Sequence, residues 1–290
     1  MQAMLILAHK DVQQVVALAK VLTKNFLVYV HFDMKHLLSE EDKEMLNAIE
    51  NLRYVQKYDV NWGAWSICEA QILLMRLALE NDKLTYVHLI SGSDWPTMPL
   101  NEIYEFYENN FSIYMMAQRA KEIRKTGEPV LLWQKYYWEY DRIPRKTFYG
   151  KVYHRLSLLW QTMTGTDKFK DLDIDLEIWH GSNWCDLPRD AVEYLLEYFD
   201  RNQNVQRLFK TGFCSDEFWV QTILCNSDRY KERIIHNNHR YILMKKKHGS
   251  RPAILDENDY DDIISGDYHF ARKMDKAISQ RLIEKLMILQ

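Results

Sequence analysis

Two hydrophobic rhythms alternate through the N-terminal third of the chain. Short apolar runs at 4–8, 26–32, 53–60 and 86–90 are bounded by polar residues and have the length of buried strands. Between them apolar residues recur at helical spacing. Positions 12, 15, 16, 18, 19 and 22 form one face with Asp11 placed as N-cap, and 40–49 and 66–79 continue the pattern. Strands alternating with helices of these lengths predict βαβ units, and so an α/β fold on a mostly parallel sheet flanked by helices. Ligands of such sheets gather at the carboxyl ends of the strands. That singles out the loops His31-Phe32-Asp33, Asn61-Trp62-Gly63 and Ser91-Gly92-Ser93-Asp94.

Beyond about residue 110 the rhythm loosens. Residues 119–175 are rich in Arg, Lys, Tyr and Trp and have weak periodicity, which reads as loops or helices over a cleft. A strand is expected at 177–187, a helix at 188–199, and another at 216–224 whose first turn Ser215 or Asp216 would cap. The tail from Gly249 reads as loop and turns helical from Asp275. No repeat, low-complexity stretch or linker interrupts the sequence, so it predicts one domain over 1–290, with parts at 1–110 and 111–290.

Composition narrows the function classes. A net charge of −3 over 290 residues gives no basic excess for nucleic acid. The four cysteines, Cys68, Cys185, Cys214 and Cys225, show neither C-x-x-C nor zinc spacing and read as mostly buried thiols in a reducing compartment. The first apolar run is too short to span a bilayer and lacks the flanks of a signal peptide, so the expectation is a cytoplasmic protein. Nine Trp and eighteen Tyr suit either a large aromatic core or stacking on sugar and base rings.

Five ordered stretches carry a family resemblance. They are Val60-Asn-Trp-Gly-Ala-Trp-Ser66, His88-Leu-Ile-Ser-Gly-Ser-Asp-Trp-Pro-Thr-Met-Pro-Leu100, Phe213-Cys-Ser-Asp-Glu-Phe-Trp-Val-Gln-Thr222, Gly249-Ser-Arg-Pro-Ala-Ile-Leu255 and His269-Phe-Ala-Arg-Lys-Met-Asp275. Together they resemble the core-2/I-branching β-1,6-N-acetylglucosaminyltransferase family, which also contains peptide O-xylosyltransferases. The resemblance implies a glycosyltransferase-A type fold that takes a UDP-sugar as co-substrate, inverts the anomeric centre and needs no divalent metal or other cofactor. It makes 1–110 the nucleotide-binding part and 111–290 the acceptor and catalytic part.

The residues are compatible with that chemistry. Most transferases of this fold hold Mn²⁺ or Mg²⁺ with an Asp-x-Asp motif after the fourth strand, because hard cations need oxygen ligands. Here the corresponding loop has one carboxylate, Asp94. The Asp171-Leu-Asp173-Ile-Asp175 group reads as a solvated loop. Without a metal, fixed cations must neutralise a departing diphosphate. Arg251 and Lys273 match the family's two basic residues, and Arg272 is the adjacent alternative. Inverting transfer also needs a carboxylate to take the acceptor's proton, and Glu217 matches the family's catalytic glutamate.

Asp33 and Trp62 match nucleotide-contacting positions, although the residues alone also allow a helix cap and a core ring. His9 is either near the nucleotide or a core histidine. Asp94, Trp95, Ser182 and Trp184 match sugar-lining segments, and a packing role suits each of them equally. The expected donor sugar is N-acetylglucosamine, then xylose. The expected acceptor is an oligosaccharide or lipid-linked glycan of bacterial surface polysaccharide or lipopolysaccharide. Trp133, Tyr136, Tyr137, Trp138 and Arg145 are expected to be exposed for peripheral contact with the inner membrane. A glycan-binding module without catalysis would not need Glu217, Arg251 and Lys273 together. A glycoside hydrolase would need a second placed carboxylate.

Overall fold

The computed structural model describes residues 1–125 and 127–290. Its elements run β1 (Gln2–Ala8), α1 (Val12–Leu22), β2 (Leu27–Phe32), α2 (Glu40–Asn47), β3 (Leu52–Val55), α3 (Ser66–Leu79), β4 (Tyr86–Ser91), β5 (Asp94–Pro96), α4 (Leu100–Tyr107) and β6 (Ile113–Arg119). There follow β7 (Arg124–Lys125), β8 (Glu128–Pro129), α5 (Leu132–Lys135), α6 (Phe148–Met163), α7 (Lys168–Asp171), β9 (Trp179–Pro188), α8 (Arg189–Arg201) and α9 (Gln203–Lys210). The chain closes with α10 (Trp219–Cys225), β10 (Ile234–Ile235), β11 (Arg240–Ile242), α11 (Tyr260–Ile264), β12 (Phe270–Arg272) and α12 (Gln280–Met287). The elements fall into two compact units interleaved along the chain: residues 1–57, 77–111 and 237–290, and residues 58–76 and 112–236.

The first unit is built on the parallel order β4-β1-β2-β3. Met4 lies opposite both Val28 and His88, and Val30 lies opposite Tyr54. Leu5, Ile6, Val28, Val30, Leu89 and Ile90 are buried, as expected of strands covered on both faces. The helix starts are locally encoded. The Asp11 carboxylate accepts from the Gln14 backbone N–H at 3.1 Å. Ser39 and Asp42 form a reciprocal capping box, and Glu40, Glu41 and Asp42 place negative charge at the positive end of α2. A second small sheet, β11-β12-β5, sets Arg272 opposite Asp94. The α/β class and the parallel sheet are therefore as the periodicity predicts.

In the second unit β6 pairs parallel with β10 and antiparallel with β9, with an irregularity between Met115 and Ala117. Glycine is required at that irregularity, because a Cβ on Gly181 would lie 1.7 Å from the Met116 carbonyl oxygen. α10 is stitched to β9 by side chains. The Thr222 hydroxyl accepts from the Trp179 backbone N–H at 3.1 Å, and the Gln221 amide donates to the Ser182 carbonyl at 2.7 Å.

Several expectations fail for local reasons. The strand expected over 53–60 stops at Val55, and the Gln56 side chain turns back to donate to the Asp33 and His36 carbonyls at 3.1 and 2.7 Å. The helix expected at 216–224 breaks into a 3-10 turn, Ser215–Glu217, followed by α10. Neither Ser215 nor Asp216 caps it. The Ser215 hydroxyl donates to the Phe209 carbonyl at 2.6 Å instead. The last helix starts at Gln280 rather than near Asp275, whose carboxylate is occupied by the backbone N–H groups of Ala277 and Ile278 in the preceding turn.

The largest correction concerns the aromatic residues expected at a lipid surface. Trp133, Tyr136 and Trp138 are buried, and Tyr137 and Arg145 are half-buried. Trp133, Tyr140 and His154 surround Phe213, with ring centroids 4.7, 4.9 and 5.7 Å away, and Trp138 stacks on His154 at 4.8 Å. Their apolar area goes into an aromatic core, where offset and edge contacts between rings add to area burial.

Gly181→Ala should destabilise the protein by about 3 kcal/mol, the upper end of an overpacking cost, read as a lowered urea midpoint at constant slope. An unchanged midpoint would show that β6 can move its carbonyl aside.

Candidate active site

Along the carboxyl edge of the first unit's sheet, backbone hydrogen bonds carry the ladder past the strands. Asp33 N–H donates to the Ala8 carbonyl at 2.9 Å, and Gly92 N–H donates to the Leu7 carbonyl at 3.0 Å. His9 is exposed just beyond β1. Asp33 is buried just beyond β2, and its carboxylate accepts from the Lys35 backbone N–H at 3.0 Å. His9, Asp33 and the Ser91-Gly92-Ser93-Asp94 loop thus share one edge.

The C-terminal segment is laced to this edge. The Gln14 amide donates to the carbonyls of Gly92 and Met274, both at 3.1 Å, and Met274 N–H donates to the Ser93 carbonyl at 2.7 Å. Asp94 is 1 % exposed and ion-paired with the Arg272 guanidinium, Nε to Oδ1, at 2.9 Å. It also accepts from the Ser91 backbone N–H. Burial pulls Arg272 below its ordinary range, and the charge of Asp94 opposes that pull. The next residue, Lys273, exchanges backbone bonds with the segment after Arg251: Lys273 N–H donates to the Ala253 carbonyl at 3.2 Å, and Leu255 N–H donates to the Lys273 carbonyl at 2.9 Å. The segments of Arg251 (exposed) and Lys273 (half-buried) therefore run side by side, next to the loop of Asp94. Arg272, the alternative cation, is already committed to Asp94. Trp95 is 2 % exposed and packs within β5, so little of its ring is open to a ligand.

In the second unit Trp62 is half exposed, with the Lys146 ammonium 4.9 Å from its ring centroid and Phe213 packed edge-on at 5.8 Å. Gly63 has φ +76°, and a Cβ there would lie 2.5 Å from the Phe213 ring, so this loop approaches residues 213–214 as only glycine permits. Cys214 N–H donates to the Gly63 carbonyl at 2.8 Å. The chain then enters the 3-10 turn that carries Glu217.

The Glu217 carboxylate is gripped by two side chains at one oxygen, His180 Nε2 at 2.9 Å and Lys125 Nζ at 3.0 Å. His180 Nε2 also lies 3.0 Å from Lys125 Nζ, so this nitrogen donates to Glu217 in one tautomer and accepts from Lys125 in the other. Burial would raise Glu217, but the hydrogen bond from His180 and the charge of Lys125 outweigh burial and hold it below its usual range. The neighbouring Asp216 is buried, and burial together with the negative charge of Glu217 pushes it up to about 8. Near neutrality Glu217 carries the charge of the pair and Asp216 the proton. Such a glutamate is ionised near neutrality and aligned by two donors, and those same donors lower its basicity.

The motifs pointed to Glu217 but not to its partners. His180 had a readable signal, since it directly precedes Gly181-Ser182-Asn183-Trp184. Lys125 had none, since it sits on a two-residue strand in a stretch without a motif. Ser182 is half-buried on β9 and its hydroxyl accepts from the Trp184 backbone N–H at 3.3 Å, while Trp184 itself is 8 % exposed. Asp171, Asp173 and Asp175 are exposed, but only the last two lie in a loop: Asp171 ends α7 and accepts from the Tyr137 hydroxyl at 3.1 Å. Among the described residues no three His, Cys, Asp or Glu side chains converge as a metal site would require.

The family model of the Core-2/I-Branching enzymes matches residues 3–264. No curated protein sequence matches the chain. Among solved structures, the chain is similar to core-mannan synthase A from Aspergillus fumigatus in its Mn/GDP form, at 11% identity over 81% of this chain and 72% of that one, TM-score 0.40. It is similar to the galactosyltransferase LgtC in complex with donor and acceptor sugar analogs, at 9% identity over 100% of this chain and 95% of that one, TM-score 0.40. It is also similar to S. aureus TarS 1-349 in complex with UDP-GlcNAc, at 16% identity over 44% of this chain and 37% of that one, TM-score 0.30. Likenesses this loose carry no argument about donor, acceptor or metal.

Because the folded value of Glu217 is lowered, its charge and the contacts with His180 and Lys125 are present above its ordinary range of 4.5 and are lost as pH falls through the lowered value. The acid limb of a kcat/KM profile that reports this base should lie below pH 4.5. Lys125→Met removes one of the two groups holding the charge and should move that limb upward. A limb that stays in place would mean that Lys125 does not set the charge.

Proposed function

The chain belongs to the Core-2/I-branching enzyme family and is a glycosyltransferase, and we propose that it works as a metal-independent, inverting transferase moving a sugar from a UDP-sugar to a glycan hydroxyl. In this reading Arg251 and Lys273 neutralise the diphosphate. Arg251 offers a planar fork for two phosphate oxygens and Lys273 offers a compact charge. Asp33 and Trp62, with His9, serve the nucleotide, while Ser182 and the Asp94 loop serve the sugars. The acceptor oxygen attacks the anomeric carbon as the bond to the diphosphate breaks. UDP departs with the electron pair of that bond, and the acceptor proton passes to Glu217. His180 and Lys125 keep Glu217 ionised and aimed.

The observation that carries the metal-free reading is the ion pair of buried Asp94 with half-buried Arg272. The one carboxylate of the loop is already neutralised by a guanidinium, and a cation seeking Asp94 would have to displace it. The pair also fixes the position of the adjoining Lys273 segment. The favoured donor is UDP-N-acetylglucosamine, with UDP-xylose next, and the favoured acceptor is a lipid-linked oligosaccharide of a bacterial surface polysaccharide or lipopolysaccharide, met at the cytoplasmic face of the inner membrane. No helix among the described residues is long and apolar enough to cross a membrane.

Transfer from UDP-sugars should persist in EDTA, and complete loss restored by Mn²⁺ would overturn the metal-free reading. Glu217→Gln should lower turnover by about two orders of magnitude or more, the usual worth of a general base, with UDP affinity nearly unchanged in a thermal-shift titration. Arg251→Ala should weaken UDP binding and slow transfer together. If Arg251→Ala left UDP binding intact, the cation would belong elsewhere.

A further inference from the structure

The helix α6 is amphipathic with its polarity reversed. Gly150, His154 and Gln161 form its buried face. Phe148, Tyr149, Leu156, Leu159, Trp160 and Met163 are 74, 78, 62, 59, 68 and 74 % exposed. At 3.6 residues per turn these six occupy an arc of roughly 120°, and the buried set faces the opposite way.

The orientation is fixed by polar contacts and not by area burial. The Gln161 amide accepts from Tyr137 N–H at 2.8 Å and donates to the Tyr137 carbonyl at 2.9 Å. His154 bonds Tyr140, lies 3.3 Å from Glu128 and stacks on Trp138. A Cβ on Gly150 would lie 2.1 Å from the Pro144 carbonyl oxygen, which seats the helix start against that turn. Rolling α6 to bury its apolar stripe would break all of these at once.

We infer that α6 lies flat on an anionic lipid surface with its apolar stripe in the headgroup–acyl boundary. The charge pattern selects this occupant. Over α6 itself, 148–163, the sequence has no Asp or Glu and two basic residues. Lys151 and Arg155, both exposed, border one side of the stripe. Tyr149 and Trp160 bring amphipathic rings that suit a membrane interface. Apolar area plus basic flanks is the composition of an interfacial helix. A second copy of the chain fits less well. Across a two-fold contact of α6 with itself, no acidic residue of the helix would answer Lys151 and Arg155. The stripe and its two bordering cations include none of the residues assigned to transfer, and the test uses no transfer, so either proposal can fail alone.

The test is flotation of the full chain with vesicles of phosphatidylcholine, with and without phosphatidylglycerol. The chain should float with the anionic vesicles and not with the neutral ones, and added salt should release it. The variant L156Q/L159Q/M163Q should no longer float. Lys151→Glu with Arg155→Glu should weaken binding at least tenfold, since each interfacial cation is worth about fivefold. Phe111→Ser, an exposed apolar change elsewhere, should bind as the parent does. Thermal melts establish that each variant folds; if the triple variant does not, Leu156→Gln alone and the charge pair decide. Absence of flotation, or flotation indifferent to all these changes, overturns the inference. So does a dimer in sedimentation equilibrium without lipid that the α6 variants dissociate, which would give the stripe to a second copy.

Discussion

The first unit depends on an ion pair between residues far apart in sequence. Asp94 follows β4, Arg272 ends β12, and their pairing locks the β5–β12 register. Desolvating two charges costs several kcal/mol per ion, and a well-packed apolar pair of similar volume is often as stable. Stability alone is thus a weak reason for a pair here. Its stronger consequence is positional. With Arg272 held against Asp94, the next residue, Lys273, has a fixed backbone, and that backbone pairs with the segment after Arg251.

The second unit solves a similar problem with rings. Glu217 sits on a short 3-10 turn that has little internal hydrogen bonding to hold it. Its rigidity comes from beneath, where Phe213 is wedged among Trp133, Tyr140 and His154, and Phe213 N–H bonds the Trp133 carbonyl at 2.9 Å. The Gln134 amide donates to the Phe213 carbonyl at 2.9 Å. From above, His180 and Lys125 fix the carboxylate itself. Part of the aromatic content of 119–175, namely Trp133, Trp138 and Tyr140, thus supports this one turn.

The strands and helices of the first unit were legible because the two local periods, 2 and 3.6, are imposed by backbone geometry wherever a face is buried. The end of β3 and the start of α12 were not legible, because each is decided by one side chain, Gln56 or Asp275, bonding backbone that sequence alone leaves free. Glu217 stood out as a motif. Lys125 did not, because its role arises only when a two-residue strand brings it beside β9. The burial of Trp133, Tyr136 and Trp138 is not legible in composition, which says that rings are present and not what they pack against.

Periodicity also has a blind spot that α6 exposes. A hydrophobic stripe identifies a helical face but not the direction in which it points. The ordinary assumption is that the apolar side goes inward, since burying it is the largest favourable term available. That assumption is reversed where the opposite face carries enough specific polar contacts to hold the helix on its own. Gln161 and His154 do this with groups that a sequence reader would place in solvent. An outward apolar face has a cost in water that those contacts must exceed for the helix to sit this way. Docking on a surface outside the chain would remove that cost, and a stripe edged by Lys151 and Arg155 with no acidic residue on α6 narrows that surface to one apolar in depth and negative at its rim.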